Sequence, residues 1–220
     1  MASMLFSGAD IKEILIFLLS AVFVVFFTMP IHEFSHGLAA HLLGDRTPKY
    51  QGRLTLNPLA HLDPIGAVMI ALFGFGWAKP VQVNLNNFKK PKLGMAITAL
   101  AGPLSNIISA FVLIVVLRIL IAFEAVNMVV VTFFATAAYI NISLAVFNLI
   151  PLPPLDGSKI LNAVLPFKVY YKILRYERFM WIILVAILAS DILSYPLSWL
   201  SVNVFNGLGS IVGLPIQYVI

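Results

Sequence analysis

Apolar residues run through this chain in long blocks separated by short polar stretches. Ile14 to Ile31, Leu93 to Leu117 and Ala125 to Leu155 carry no charge, and Phe179 to Ile220 carries only Asp191. Pro64 to Ala78 is also uncharged, but short. A membrane-spanning helix needs about 20 largely apolar residues. The blocks therefore predict at least four spans and one segment too short to cross alone. Asp10 and Glu13 flank the first block and no small-residue cleavage site follows it, which reads as a span rather than a signal peptide. The fold class expected is an all-α membrane protein, a bundle of about five to six transmembrane helices. Arg53 to Pro58 and Val81 to Asn84 alternate apolar and polar residues, so a small membrane-associated β-hairpin or sheet is expected beside the helices. The loops are too short for an additional folded domain, and residues 1–220 read as a single domain.

Composition sharpens the picture. The chain is 61% hydrophobic and 10% charged, against about 45–50% and about 25% in soluble domains. A water-soluble globular enzyme is excluded on that ground, and disorder with it. The absence of cysteine removes disulfides, thiolate metal sites and cysteine nucleophiles. The net charge of +5 is better explained by membrane topology than by nucleic-acid binding. Most Lys and Arg fall in three stretches: Arg46 to Arg53, Lys79 to Lys92, and Lys159 to Arg178. Basic loops stay cytoplasmic. The first span then ends inside the cell near Gly44, the Leu93 to Leu117 span leads out, and the Ala125 to Ile150 span returns. The apolar stretch between Asp45 and Lys92 begins and ends on the cytoplasmic side, so it is re-entrant or buried among helices. Trp77 and Trp181, beside basic residues, fit interfacial anchors.

The first span holds His32-Glu33-Phe34-Ser35-His36. Residues four apart share a helix face, so His32 and His36 can grip one metal ion. Glu33 lies one position round and can move a proton between an activated water and a leaving amine. An unpartnered acidic group in a membrane helix costs about 2.5–3.5 kcal/mol on insertion scales. Two histidines and a glutamate in one turn need compensation, and a metal supplies it. His36 precedes Gly44 by eight residues, about 12 Å of helix, which puts the site inside the bilayer nearer the cytoplasmic face. Small Gly37 and Ala39 would let another element approach closely. Pro30 is a candidate kink.

A catalytic zinc site usually takes a third protein ligand. Asp156 follows the proline-rich stretch Pro151-Leu152-Pro153-Pro154-Leu155, where the returning span reaches the side of the membrane that holds the histidines. That topology selects Asp156 over Glu124, Glu177 and Asp191. His61 stays open as a ligand of a resting state or as a structural loop residue. His41 is expected to face away. Asn148, near Asp156, can hold substrate backbone or a developing oxyanion, while Asn106 and Asn141 suit helix packing. Gly209 and Gly213 form a small-xxx-small pair. The tail from Pro196 can form a span, a re-entrant piece or a dimer contact, which leaves a homo-oligomer open.

His32 to Gly37 and Asn148 to Gly157, with Gly52 to Pro58, Phe75 to Pro80 and Ala101-Gly102-Pro103, together resemble the site-2 proteases. These are intramembrane zinc metalloproteases, and the likeness is to their compact branch without PDZ or CBS domains. The resemblance implies Zn2+ held by His32, His36 and Asp156, Glu33 as general base, and Asn148 in substrate binding. It also implies cleavage of transmembrane protein substrates, which can add a strand to the enzyme near Leu54 to Leu56. Two other function classes compete: a catalytically silent membrane scaffold, and a metal-transport protein with an intramembrane His/Asp site. Intact Glu33 argues against the first. The lack of paired broken helices in two halves argues against the second.

Overall fold

In a computed structural model of the chain the described residues are 10–61, 63, 79–124, 126–161, 163–166, 168–169, 172, 175–190 and 192–215. The short apolar segment Pro64 to Ala78 with Trp77, and Asp191, lie outside them, as does the side chain of Trp181. Helix α1, Ile11–Phe23, opens on Asp10, whose side chain accepts the Lys12 amide at 3.2 Å. It runs through a π-helical turn, Val24–Thr28, into α2, Met29–Leu42. Pro30, the candidate kink, falls in the first turn of α2 just after this widened turn, where the Met29 amide reaches back to the Val24 carbonyl and Thr28 Oγ1 donates to the same oxygen at 3.0 Å.

Short helices α3, Thr47–Tyr50, and α4, Pro58–His61, follow. The long α5, Pro91–Ala122, is answered by α6, Met128–Asn148. Asn127 caps α6 by accepting the Val130 amide at 3.1 Å. Then come α7, Asp156–Leu161, α8, Glu177–Ala189, and α9, Ser194–Ile211. Among the described residues three helical stretches are long and apolar enough to cross a membrane: Ile11–Leu42, Pro91–Ala122 and Met128–Asn148. They coincide with the first three long apolar blocks of the sequence. α8, at 13 residues, is too short to cross by itself.

α5 is the central element: it packs on α2, α6 and α7, while α6 also meets α1 and α9. In lipid there is no hydrophobic drive between helices, so close packing must hold them together. The core supplies it, with Ala110, Leu113, Ile114 and Leu117 of α5 set against Val131, Ala135, Ala138, Ile142 and Val146 of α6, and Phe205 of α9 beside them. On the outside of α5, Leu93, Ile97, Leu100, Leu104, Ile108 and Val112 recur every three or four residues and are exposed, as a lipid-facing stripe requires.

No strand occurs among the described residues, which corrects the expected β-hairpin. Arg53 to Pro58 and Val81 to Asn84 do come near each other. Residues at their edges are joined: Gln51 Nε2 donates to Gln82 Oε1 at 3.1 Å, and the Lys79 amide donates to the His61 carbonyl at 2.7 Å. Their amides go to side chains instead of to each other, Asn57 N to Thr55 Oγ1 at 3.1 Å, Val81 N to Glu33 Oε2 at 3.3 Å and Asn84 N to Asp45 Oδ2 at 2.7 Å.

The end of α2 organises this loop region. Gly44, at φ 111°, lets the chain reverse, with Gly44 N bonded to His41 O at 3.1 Å and Asp45 N to Ala40 O at 2.9 Å. Asp45 is fully buried there. It accepts Thr47 Oγ1 at 2.6 Å, the Thr47 amide at 3.0 Å, the Asn84 amide at 2.7 Å and Asn87 Nδ2 at 2.7 Å. Burial pushes its carboxyl up, but the bonds from Thr47, Asn87 and Asn84 outweigh that and hold it below the usual carboxylate range. The unfolded chain therefore binds this proton more tightly, and Asp45 stabilises the fold above the ordinary carboxylate range, losing that contribution as pH falls through its lowered value. Asp45→Ala should cost about 1–3 kcal/mol in detergent unfolding at neutral pH, and its gap to wild type should narrow as the pH is lowered.

Candidate metal centre

α2 carries His32 and His36 on one face, both buried. Asp156 arrives from 120 residues away, at the start of α7. Between α6 and α7 the chain turns through Pro151 to Leu155, where Leu155 N bonds to Leu152 O at 3.0 Å and Ser158 N to Leu155 O at 3.1 Å. Gly157 makes the turn fit, because a Cβ there would collide with the Leu149 and Ile150 carbonyls. The three side chains meet closely. His36 Nε2 lies 3.0 Å from His32 Nε2 and 3.1 Å from Asp156 Oδ2, and His32 Nε2 lies 3.4 Å from the same oxygen.

Protonation makes this cluster informative. His36 Nδ1 is 2.7 Å from the Thr98 carbonyl, which only accepts, so Nδ1 carries the hydrogen and the neutral ring presents a lone pair at Nε2. That lone pair faces another imidazole nitrogen and a carboxylate oxygen in a buried setting. With both rings neutral, such a set of acceptors suits a cation between them. Ligand atoms held tetrahedrally at about 2.0–2.2 Å from zinc sit roughly 3.3–3.5 Å apart, close to the spacings seen. Among the described residues this is the group of His, Cys, Asp and Glu able to hold a metal ion.

The surroundings are built to keep the group tight. Gly102 of α5 lies against both rings, and a Cβ there would stand 2.6 Å from His32 Cε1 and closer still to His36. Gly37 lets the loop press on α2, with Leu54 Cδ2 at 3.0 Å from a built Cβ. Lys159 Nζ holds the second Asp156 oxygen, Oδ1, at 3.1 Å, which leaves Oδ2 for the centre. Gly102 stood in the sequence only as part of the Ala101-Gly102-Pro103 motif, and Thr98 and Lys159 were given no part in the site. For Lys159 a signal existed, a basic residue three positions after an acid on a helix. For Thr98 none did, because it serves through its backbone.

Glu33 is half-buried on the next face of α2, and its Oε2 accepts the Val81 amide at 3.3 Å. His61 is not with the other two histidines. It is buried in the loop with Nε2 2.8 Å from the Thr55 carbonyl, and Arg53 Nη1 donates to the neighbouring Ala60 carbonyl. His41 is likewise outside the group. Asn148 donates to the Leu144 carbonyl of its own helix at 3.0 Å and makes no bond to His32, His36 or Asp156.

Comparison with known proteins places this arrangement. The model of "Peptidase family M50" matches residues 118–190. "Putative zinc metalloprotease YwhC" of Bacillus subtilis is 40% identical over 185 residues, 82% of this chain and 83% of that protein. The chain belongs to peptidase family M50. "Putative zinc metalloprotease Rip2" of Mycolicibacterium smegmatis is 31% identical over 132 residues, 58% of this chain and 50% of that protein. No solved structure matches. The site-2 protease resemblance of the sequence is thereby met, and this M50 chain is a zinc metalloprotease in a membrane protein fold. Its two imidazoles and one carboxylate, with no thiolate, are a donor set that suits zinc.

The close approach at Gly102 yields a direct test. Gly102→Ala forces a methyl group into both imidazoles, so zinc affinity should fall at least about ten-fold with helix content retained. Gly207→Ala, whose Cβ would meet nothing within 4 Å, should bind zinc as wild type does. Equal affinity in the two variants would remove Gly102 from the site.

Proposed function

We propose that the chain is an intramembrane protease that hydrolyses peptide bonds in or near transmembrane segments of membrane proteins. The observation that carries this is the meeting of His32, His36 and Asp156 at 3.0–3.4 Å, with both histidines inside a stretch apolar enough to span the bilayer. His36 precedes Leu42, the end of that stretch, by six residues, about 9 Å of helix. Arg46, Lys49, Arg53, Lys79, Lys89, Lys90 and Lys92 cluster at that end, and Glu124 sits at the other. The positive-inside rule then makes the active site cytoplasm-facing within a multi-pass protein. The apolar run Phe179 to Ile220 adds to the three spanning stretches to complete a bundle of about five to six spans, and residues 1–220 act as one protease domain.

His32, His36 and Asp156 hold the zinc. When bound, the ion supplies Lewis-acid polarisation of the scissile carbonyl and lowers the pKa of the attacking water. Glu33, beside the ligands, takes a proton from that water and passes it to the departing nitrogen. The Val81 amide steadies its carboxylate in the resting enzyme. Substrate enters along the irregular segment Pro80 to Asn84, whose Val81 amide touches Glu33, and the neighbouring Arg53 to Pro58. Asn148, at the end of α6, binds substrate by releasing the Leu144 carbonyl. His61 serves the loop, through Thr55 and Lys79.

The full chain reconstituted in vesicles with a single-span fluorogenic peptide tests the assignment. Glu33→Gln should retain the metal and lose cleavage by about 10²–10⁴-fold, the usual weight of general acid–base catalysis. Chelation should abolish cleavage in wild type and zinc should restore it. Full cleavage by the Glu33→Gln protein would overturn the role given to Glu33.

A further inference from the structure

Two of the three proposed ligands have an outer partner. The Thr98 carbonyl receives His36 Nδ1–H at 2.7 Å, and Lys159 grips Asp156 Oδ1 at 3.1 Å. His32 has none: its Nδ1 is buried and makes no hydrogen bond. A buried donor left so costs about 1–3 kcal/mol. Metal-binding imidazoles almost always donate their second N–H to something, which fixes the ring and its tautomer. The structure therefore lacks one acceptor, and the packing shows where to look for it.

Thr98 meets His36, whereas Gly102, one turn later on α5, meets both His36 and His32. Advancing along α5 thus moves backward along α2, and the two helices run antiparallel. The next turn, about 5.4 Å further, brings Asn106 to the same face of α5 as Gly102, level with His32. Asn106 is only 2% exposed, and its Oδ1 is itself a buried acceptor with no partner. Thr98 Oγ1 is also unpartnered but sits a turn too early, at the level of His36. One orphaned donor and one orphaned acceptor thus fall at the same level of the α2–α5 packing, in an interior that tolerates neither.

We propose that Asn106 is the positioning residue for His32. Its Oδ1 accepts the His32 Nδ1–H, directly or through one buried water, and so aims the Nε2 lone pair at the zinc. This rests on His32 being a ligand, as proposed above, and deepens that site.

Zinc affinity by chelator competition, and the visible spectrum of the Co2+-substituted protein, are measured on the full chain in detergent. Asn106→Leu, near in shape but without an acceptor, should weaken zinc binding about 10–100-fold and shift the cobalt spectrum. Asn106→Asp, which keeps an acceptor oxygen, should return both to near wild type. Asn206→Leu removes another unpartnered amide oxygen, on α9, and should change neither. If Asn106→Leu does not fold, Asn106→Ala is read by the same two measurements. Wild-type affinity and spectrum in the acceptor-less variant, or no recovery in Asn106→Asp, overturns the proposal and leaves His32 as a ligand. Undiminished zinc binding by His32→Ala instead overturns the underlying site.

Discussion

Two imidazole nitrogens and a carboxylate oxygen held within 3.0–3.4 Å of one another, in the interior of an apolar helix bundle, require compensation for their burial, which a bound cation would supply. Most of what is unusual in this chain follows from that requirement. An isolated carboxylate and two imidazoles would oppose membrane insertion. Joined around one ion, as proposed, they would satisfy each other, and the burial that makes them costly alone would also strengthen their hold on it.

The helices are arranged to deliver those atoms. α2 supplies both histidines from one face, α5 supplies no ligand side chain, and α7 supplies the carboxylate after a turn of prolines. α5 contributes closeness instead. Gly102 lets it lie against the rings, and Thr98 fixes the His36 tautomer through its carbonyl. At the far side of the loop region Asp45 ties α2 to Thr47, Asn84 and Asn87. That knot holds the extended stretch whose Val81 amide touches Glu33. The chain beside Glu33 is therefore fixed by hydrogen bonds to the buried carboxylate of Asp45.

The centre was largely legible in the sequence because its signals are covalently local. Four-residue spacing put His32 and His36 on one face, and charge-based topology brought Asp156 to the same end of the bundle. The three stretches able to span were legible for the same reason, since length and apolarity are properties of the run itself. The hairpin was not. Arg53 to Pro58 and Val81 to Asn84 alternate like strands, yet Thr55, Asn57 and Asn84 turn their polar groups onto nearby amides, and alternation over so few residues does not decide against that. Gly102, Thr98 and the Val81 amide act through absence of a side chain or through backbone, which no residue type announces. Asn106 was set down to packing because its orphaned oxygen becomes visible only beside the equally orphaned His32 nitrogen.

The central claim is that His32, His36 and Asp156 together hold one zinc. The most direct test is metal content per chain in detergent-purified protein, wild type beside His36→Ala and Asp156→Ala. About one zinc per chain in wild type, lost from both variants, is the result expected of a three-ligand site. Full zinc content in Asp156→Ala would contradict it, because the ion would then be held without the carboxylate that the fold brings to the histidines.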